Sequence, residues 1–201
     1  ELDVRYVLEG SARKSGSNLR ITTRLVDAWI DAPLWSEKYT GTLDQTFEIQ
    51  ERVSRAVAEA LRLRLTADDD RRLARRPTAS GFVYDLYLRA RRDILSFDRA
   101  RLDRARDDLQ RALGIVGGDP LLYAGLGMAC WQYVNAGFVA DGAWLDAAEA
   151  WAGKAVALDP EGPHGPSLLA HLAAARGDID EWLRHAERAL LADPTDPDCL
   201  V

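Results

Sequence analysis

The residues that could bind a metal or carry out catalysis are scattered along this chain. Its three histidines are His164, His171 and His185, and neither an HExxH sequence nor a pair of closely spaced cysteines accompanies them. His171 and His185 could approach each other across a pair of helices, with Asp178 or Glu181 beside them. Isolated histidines more often have a structural role, so we predict no metal site and no catalytic histidine.

Motifs for nucleophilic catalysis and phosphate binding are also missing from the sequence. It contains no GxSxG, GxxxxGK[ST] or GxGxxG; Gly125 and Gly127 supply only part of the last pattern. The carboxylates of Glu37 and Asp44, or those of the run at 68–70, could serve acid–base chemistry, but nothing places them in a cleft. We therefore predict a non-catalytic region without cofactors.

Charge is distributed unevenly, although the whole chain carries a net charge of −6. Residues 67–120 contain twelve arginines and ten acids, whereas residues 121–201 contain four bases and twelve acids. The basic part could dock an acidic partner or a second copy of the chain, with Arg89 and Arg92 as candidate contacts. Alternatively, these arginines pair with nearby aspartates. Nucleic-acid binding is a further alternative, but the interleaved aromatic residues that stack on single-stranded bases are missing.

Aromatic residues cluster between positions 131 and 151. Two interpretations remain open, because these side chains could fill a core or could line a concave face as anchors for a peptide. The candidate partner-binding residues in this cluster are Tyr133, Phe138 and Trp144.

Composition is typical of a folded chain, with 47% hydrophobic residues and no apolar run of about 20 residues that could span a membrane. Two cysteines are too few for a disulfide framework and favour a reducing compartment. A cytoplasmic location is favoured, and a periplasmic one stays open if a membrane span precedes the chain. The first residues read as the middle of a folded region, so we expect a fragment of a longer protein.

Residues 1–66 predict a small α/β unit. Apolar and polar residues alternate around 19–25, as in a half-buried strand, and the Gly-containing loop at 14–18 joins this strand to an earlier one. A third strand follows at 34–40, and a helix begins near Thr42, where Gln45 completes a capping box. We expect Trp29 and Ile30, between the second and third strands, to be covered. Residues 67–80 are polar and lack periodicity, which predicts a linker.

Residues 81–201 predict a mainly α-helical repeat of about three helix pairs. Small residues recur at four- and three-residue spacing and are followed by proline, a pattern that lets paired helices approach closely. Proline is expected to begin the next helix at its first turn. The predicted repeat-packing residues are Ala105, Leu109, Ala112, Ala148, Ala152, Ala155, Pro160, Ala186, Ala189 and Pro194.

This spacing, with ALDP at 157–160 as its most recognisable phrase, resembles the tetratricopeptide repeat (TPR). The sequences VRYVLEGSARKSGSNLRITTRLVDA and LWSEKYTGTLDQTFEIQERV resemble the C-terminal part of a TolB-like (FlgO-like) domain, and YDLYLRARRDIL resembles the TPR helix that follows such domains. The resemblance implies a partial TolB-like unit followed by a TPR solenoid.

In bacterial signalling proteins, regions of this kind are usually joined to an output domain such as a nucleotide cyclase, a winged-helix domain or a kinase. The resemblance therefore implies a regulatory region that binds a protein or peptide partner, or that forms a homodimer through the sheet edge or the solenoid. A sensor or enzyme fragment with a small molecule in the solenoid groove is the alternative.

Overall fold

The computed structural model describes residues 4–74, 78, 80–140 and 142–194. The chain divides into two compact units, Glu1–Pro77 (unit 1) and Thr78–Val201 (unit 2). A three-stranded antiparallel sheet precedes a series of helices, which confirms the predicted mainly α fold class.

Unit 1 contains one antiparallel sheet in which the strands lie in chain order, so the first and third strands are its edges. Gly16 forms the tight turn between the first two strands with a φ of 59°, a conformation that glycine adopts without a steric penalty. The pairing of the second and third strands shifts in register between Leu25 and Val26. The strands are β1 (Tyr6–Ser15), β2 (Asn18–Asp27) and β3 (Ala32–Thr42).

One face of this sheet carries the core of unit 1. Leu25 of β2 and Tyr39 of β3 are each 2% exposed, and helix α1 (Thr46–Ala60) adds the buried side chains of Phe47 and Ile49. All ten residues of β1 are exposed, and α1 packs mainly on β3.

The capping box predicted before α1 is confirmed, since the Thr42 backbone N–H donates to Gln45 Oε1 at 3.0 Å. One other expectation differs from the structure. Trp29 and Ile30 lie in the turn between β2 and β3 with 70% and 68% of their surface exposed, and the Arg5 guanidinium lies over the Trp29 ring, 5.0 Å from its centroid. A short helix, α2 (Ala67–Ala74), occupies most of the segment predicted to be a linker, and Asp70 of this helix pairs with Arg55 of α1.

In the described part of unit 2, six helices form three consecutive pairs that stack on one another. The first and third pairs have short connections, at 95–98 and 177–178, whereas the connection of the middle pair is longer, at 136–142. The first helix of the middle pair contacts the first helices of both neighbouring pairs. The helices are α3 (Gly81–Ile94), α4 (Arg99–Val116), α5 (Pro120–Asn135), α6 (Ala143–Leu158), α7 (His164–Arg176) and α8 (Ile179–Ala192).

Helix boundaries in unit 2 follow local capping chemistry. Asp119 accepts hydrogen bonds from the backbone N–H groups of Leu121 and Leu122 at 3.0 and 3.2 Å, and Pro120 is the first residue of α5, as predicted. The same prediction is wrong for Pro160, which lies exposed in the turn after α6, four residues before α7 begins.

Close packing between the helices depends on small residues. A Cβ atom placed on Gly127 of α5 would overlap with Leu168 of α7 and would come within 3.1 Å of the Ala148 carbonyl oxygen of α6. Among the predicted repeat-packing residues, Ala186 is half-buried and Pro160 and Pro194 are exposed. The fully buried ones are Ala105, Leu109, Ala112, Ala148, Ala152, Ala155 and Ala189.

Candidate functional site

The candidate site is a groove in unit 2, about 500 Å³ in volume, which we call the unit 2 groove. The first helix of each pair (α3, α5 and α7) contributes to its walls, and α8 lies at one end. Most of the lining side chains are apolar. They include Tyr87, Ile94, Leu121, Met128, Leu168 and Trp182.

Two residues that line the groove each have a side-chain nitrogen that is buried from solvent and has no hydrogen-bond partner in the described part of the chain. Gln132 of α5 is 2% exposed; its Oε1 accepts a hydrogen bond from Asn135 Nδ2 at 3.1 Å, and its Nε2 is unpaired. The indole Nε1 of the adjacent Trp131 is also buried and unpaired. Buried polar groups in folded proteins are nearly always hydrogen-bonded, either to other protein groups or to water, so these two nitrogens can each accommodate a further acceptor.

On the α7 side, a histidine is held in a defined orientation. His171 Nδ1–H donates to the Ser167 carbonyl oxygen at 3.0 Å, one turn earlier on the same helix. The His171 ring lies edge-on to Trp131, with the ring centroids 5.3 Å apart. Both residues line the groove, and their contact fixes α5 against α7 at this point.

The groove differs from the rest of unit 2 in its charge. None of its described lining residues is an aspartate or glutamate, and Arg91 is the single permanently charged residue among them. The second half of the chain is otherwise acidic. The groove is therefore better suited to a neutral or anionic ligand than to a cation.

The aromatic candidates for partner binding lie in the core and not in the groove. Tyr133 is 2% exposed, its hydroxyl donates to Asp103 of α4, and burial raises the pKa of this hydroxyl. Its ring packs against the half-buried Trp144 and Phe138, with centroids 4.4 and 6.4 Å away. Of the two interpretations of this cluster, core filling describes the positions of these three side chains.

The two arginine candidates also lie outside the groove. Arg89 pairs with Asp85, one turn earlier, at 3.9 Å and with Asp108 of α4 at 3.5 Å, whereas Arg92 approaches Asp93 at 3.7 Å. These exposed or half-exposed pairs match the alternative in which arginines are paired with nearby aspartates. Such pairs contribute little to stability.

The sequence analysis included Trp131 in the aromatic cluster that could line a concave face, but it did not single out Gln132, Met128 or His171 as groove residues. One feature of the sequence could have done so, because Gln132 is a long amide side chain inside the apolar stretch LLYAGLGMACWQYV. A buried amide in such a stretch needs partners that the stretch itself does not supply.

Metal and membrane sites are not found in the described residues. No group of three His, Cys, Asp or Glu side chains in this part of the chain could hold a metal ion. His185 Nε2 lies 3.2 Å from Glu181 on its own helix, but no third ligand joins them. None of the described helices combines the length and apolar character required to cross a membrane.

Comparison with known proteins found one relevant similarity. The chain is 35% identical over 190 residues to a Rhizobium meliloti (strain 1021) protein named "Putative adenylate cyclase 3". The match covers 94% of this chain but only 31% of that protein, so the chain spans less than a third of its relative. No family model matches the chain, and the TolB-like and TPR resemblances stay predictions.

Proposed function

We propose that this chain is a non-catalytic regulatory region of a bacterial signalling protein. In this proposal, binding to the unit 2 groove, or association with a partner protein or a second copy of the chain, controls an output domain such as a nucleotide cyclase. The observation that carries the proposal is the groove itself, formed by stacked helix pairs in a chain that matches part of a protein named for a cyclase. Stacked helical repeats typically present such surfaces for binding.

The edge of the sheet in unit 1 supports the self-association route. Strand β1 is unpaired on its outer side in the described residues, all ten of its residues are exposed, and Tyr6 and Leu8 are 39% and 51% exposed. A long exposed edge with apolar side chains readily pairs with another strand. Pairing through β1 would bring two copies of the chain together, which could in turn bring two output domains together.

A chimera of the Rhizobium relative tests this proposal. The matching segment of that protein is replaced by this chain, and formation of cyclic AMP from ATP is measured for the relative, for the chimera and for a form from which the segment is deleted. We expect the chimera to keep the regulated cyclic AMP formation of the parent protein. A second chimera, which also carries the groove-filling change Ala174→Trp, should form cyclic AMP at a different rate from the first chimera at equal protein level. Equal activity of the parent, both chimeras and the deleted form would contradict a regulatory role.

A further inference from the structure

We propose that the unit 2 groove binds a small amphipathic carboxylate, with its apolar body against α3, α5 and α7 and its carboxylate accepting a hydrogen bond from Gln132 Nε2. This inference rests on the proposed function only in so far as it names the ligand of the same groove. Whether the chain binds such a molecule can be measured without any output domain.

The size and lining of the groove favour a small molecule over an extended partner. A volume of about 500 Å³ falls within the range of pockets that enclose small ligands, roughly 300–1,000 Å³. Such pockets combine mostly apolar walls with a few polar groups that fix the orientation of the ligand. The groove has this composition: Met128 and Leu168 are part of its apolar wall, and Gln132 supplies a polar group.

Gln132 provides the argument for a hydrogen-bond acceptor on the ligand. Its Oε1 accepts a hydrogen bond from Asn135, whereas its Nε2, a donor, has no partner in the described residues. The second unpaired group, Trp131 Nε1, is also a donor and cannot act as an acceptor. A ligand that satisfies either group must therefore present an acceptor, and a carboxylate is the strongest common one.

The charges of the residues that line the groove favour an anionic ligand over a cationic one. Among the described lining residues there is no carboxylate to pair with a bound ammonium group, whereas Arg91 contributes positive potential. The ligand class is thus an apolar molecule with one terminal carboxylate.

Titration calorimetry of the full chain with decanoate, below its micellar concentration, tests the ligand class, and decylammonium serves as the probe of opposite charge. We expect decanoate to bind one site per chain with an affinity at least about tenfold higher than that of decylammonium. Equal affinities, or no binding of decanoate, would overturn the proposal.

Two pairs of variants locate the site. Ala174 is an exposed alanine that lines the groove on α7, and Ala150 is an exposed alanine on α6 outside it. We expect Ala174→Trp to abolish decanoate binding and Ala150→Trp to leave it unchanged. Gln132→Met should weaken binding by about tenfold through loss of the donor, whereas Gln110→Met, at an exposed position of α4, should not weaken it.

Each result bears on a different claim. Decanoate binding that is unaffected by Ala174→Trp, or by Gln132→Met, overturns the site described here even if cyclic AMP formation in the chimera is regulated. Binding that follows the expected pattern, together with unregulated cyclic AMP formation, supports the ligand site and rejects the proposed regulatory function.

Discussion

Asn135 Nδ2 donates a hydrogen bond to Gln132 Oε1 at 3.1 Å, between residues three positions apart near the end of α5. The bond occupies the acceptor of the Gln132 amide and leaves its donor unpaired in a side chain that is 2% exposed. A natural sequence that retains such a group in its core accepts a loss of stability, and this loss is explained if the group binds a ligand.

Replacement of Gln132 by methionine should make the free chain more stable. Methionine has a similar shape and removes the unpaired donor, and Asn135 is exposed and can bind water instead. We expect the free energy of unfolding in urea to rise by about 1 kcal/mol. A clear decrease would show that the Gln132 amide is satisfied within the fold and that its role is structural.

Gly127 should be among the residues of unit 2 that tolerate substitution least. A methyl group on Gly127 would overlap with Leu168 and crowd Trp151, so Gly127→Ala should lower the free energy of unfolding by roughly 1–3 kcal/mol. Gly153 is the matched control, since it lies in the exposed part of α6 and a Cβ atom added there would have nothing within 4 Å. Because alanine favours helix, Gly153→Ala should raise stability by about 0.5–1 kcal/mol. Equal effects of the two changes would contradict the close approach of α5 to α7.

The stability of unit 2 should depend on pH through His185. Burial, together with the nearby Arg184, lowers the pKa of His185, although Glu181 on the same helix opposes this shift. The unfolded chain then binds a proton on this imidazole below about pH 6.5 while the folded chain does not, so stability falls as the pH decreases through this range. Thermal unfolding between about pH 7.5 and pH 5.5 should show a smaller decrease for His185→Gln than for the unsubstituted chain. An unchanged slope would argue against a depressed pKa.

Strand β1 should promote self-association of the chain. Leu8→Lys places a charge on the exposed edge strand, and edge lysines oppose strand pairing. If the chain associates through β1, light scattering after size-exclusion chromatography should show a concentration-dependent mass that Leu8→Lys lowers to that of the monomer. Leu191→Lys, at an 84% exposed position of α8, should leave the mass unchanged. A monomer at every concentration would exclude the β1 route.

Local patterns were sufficient to predict most elements of the fold. The alternation in β2, the capping box at Thr42 and the proline that begins α5 all depend on residues close in sequence, and the structure contains them. The polar segment at 67–74 was harder to predict, because its helix α2 is short and strongly charged and has few apolar residues to reveal a period.

Hydrophobic periodicity could not locate the groove, because α5 is apolar on nearly all of its faces. Trp131 and Tyr133 are two residues apart and so project from different sides of the helix, yet only the first lines the groove while the second fills the core. In a helix that is buried all round, hydrophobic periodicity does not distinguish a face that meets a ligand from one that meets another helix. Only the packing of α3, α5 and α7 decides this.

A two-dimensional ¹H–¹⁵N NMR titration of the full chain with decanoate tests the central claim most directly, since it observes the two unpaired donors themselves. The Gln132 side-chain signals are assigned by their loss in Gln132→Met, and the Trp131 indole signal by its loss in Trp131→Phe. We predict that both sets of signals shift with decanoate concentration, together with backbone signals of α5 and α7. Shifts confined to other parts of the chain, or no shifts at saturating decanoate, would contradict a ligand site in the unit 2 groove.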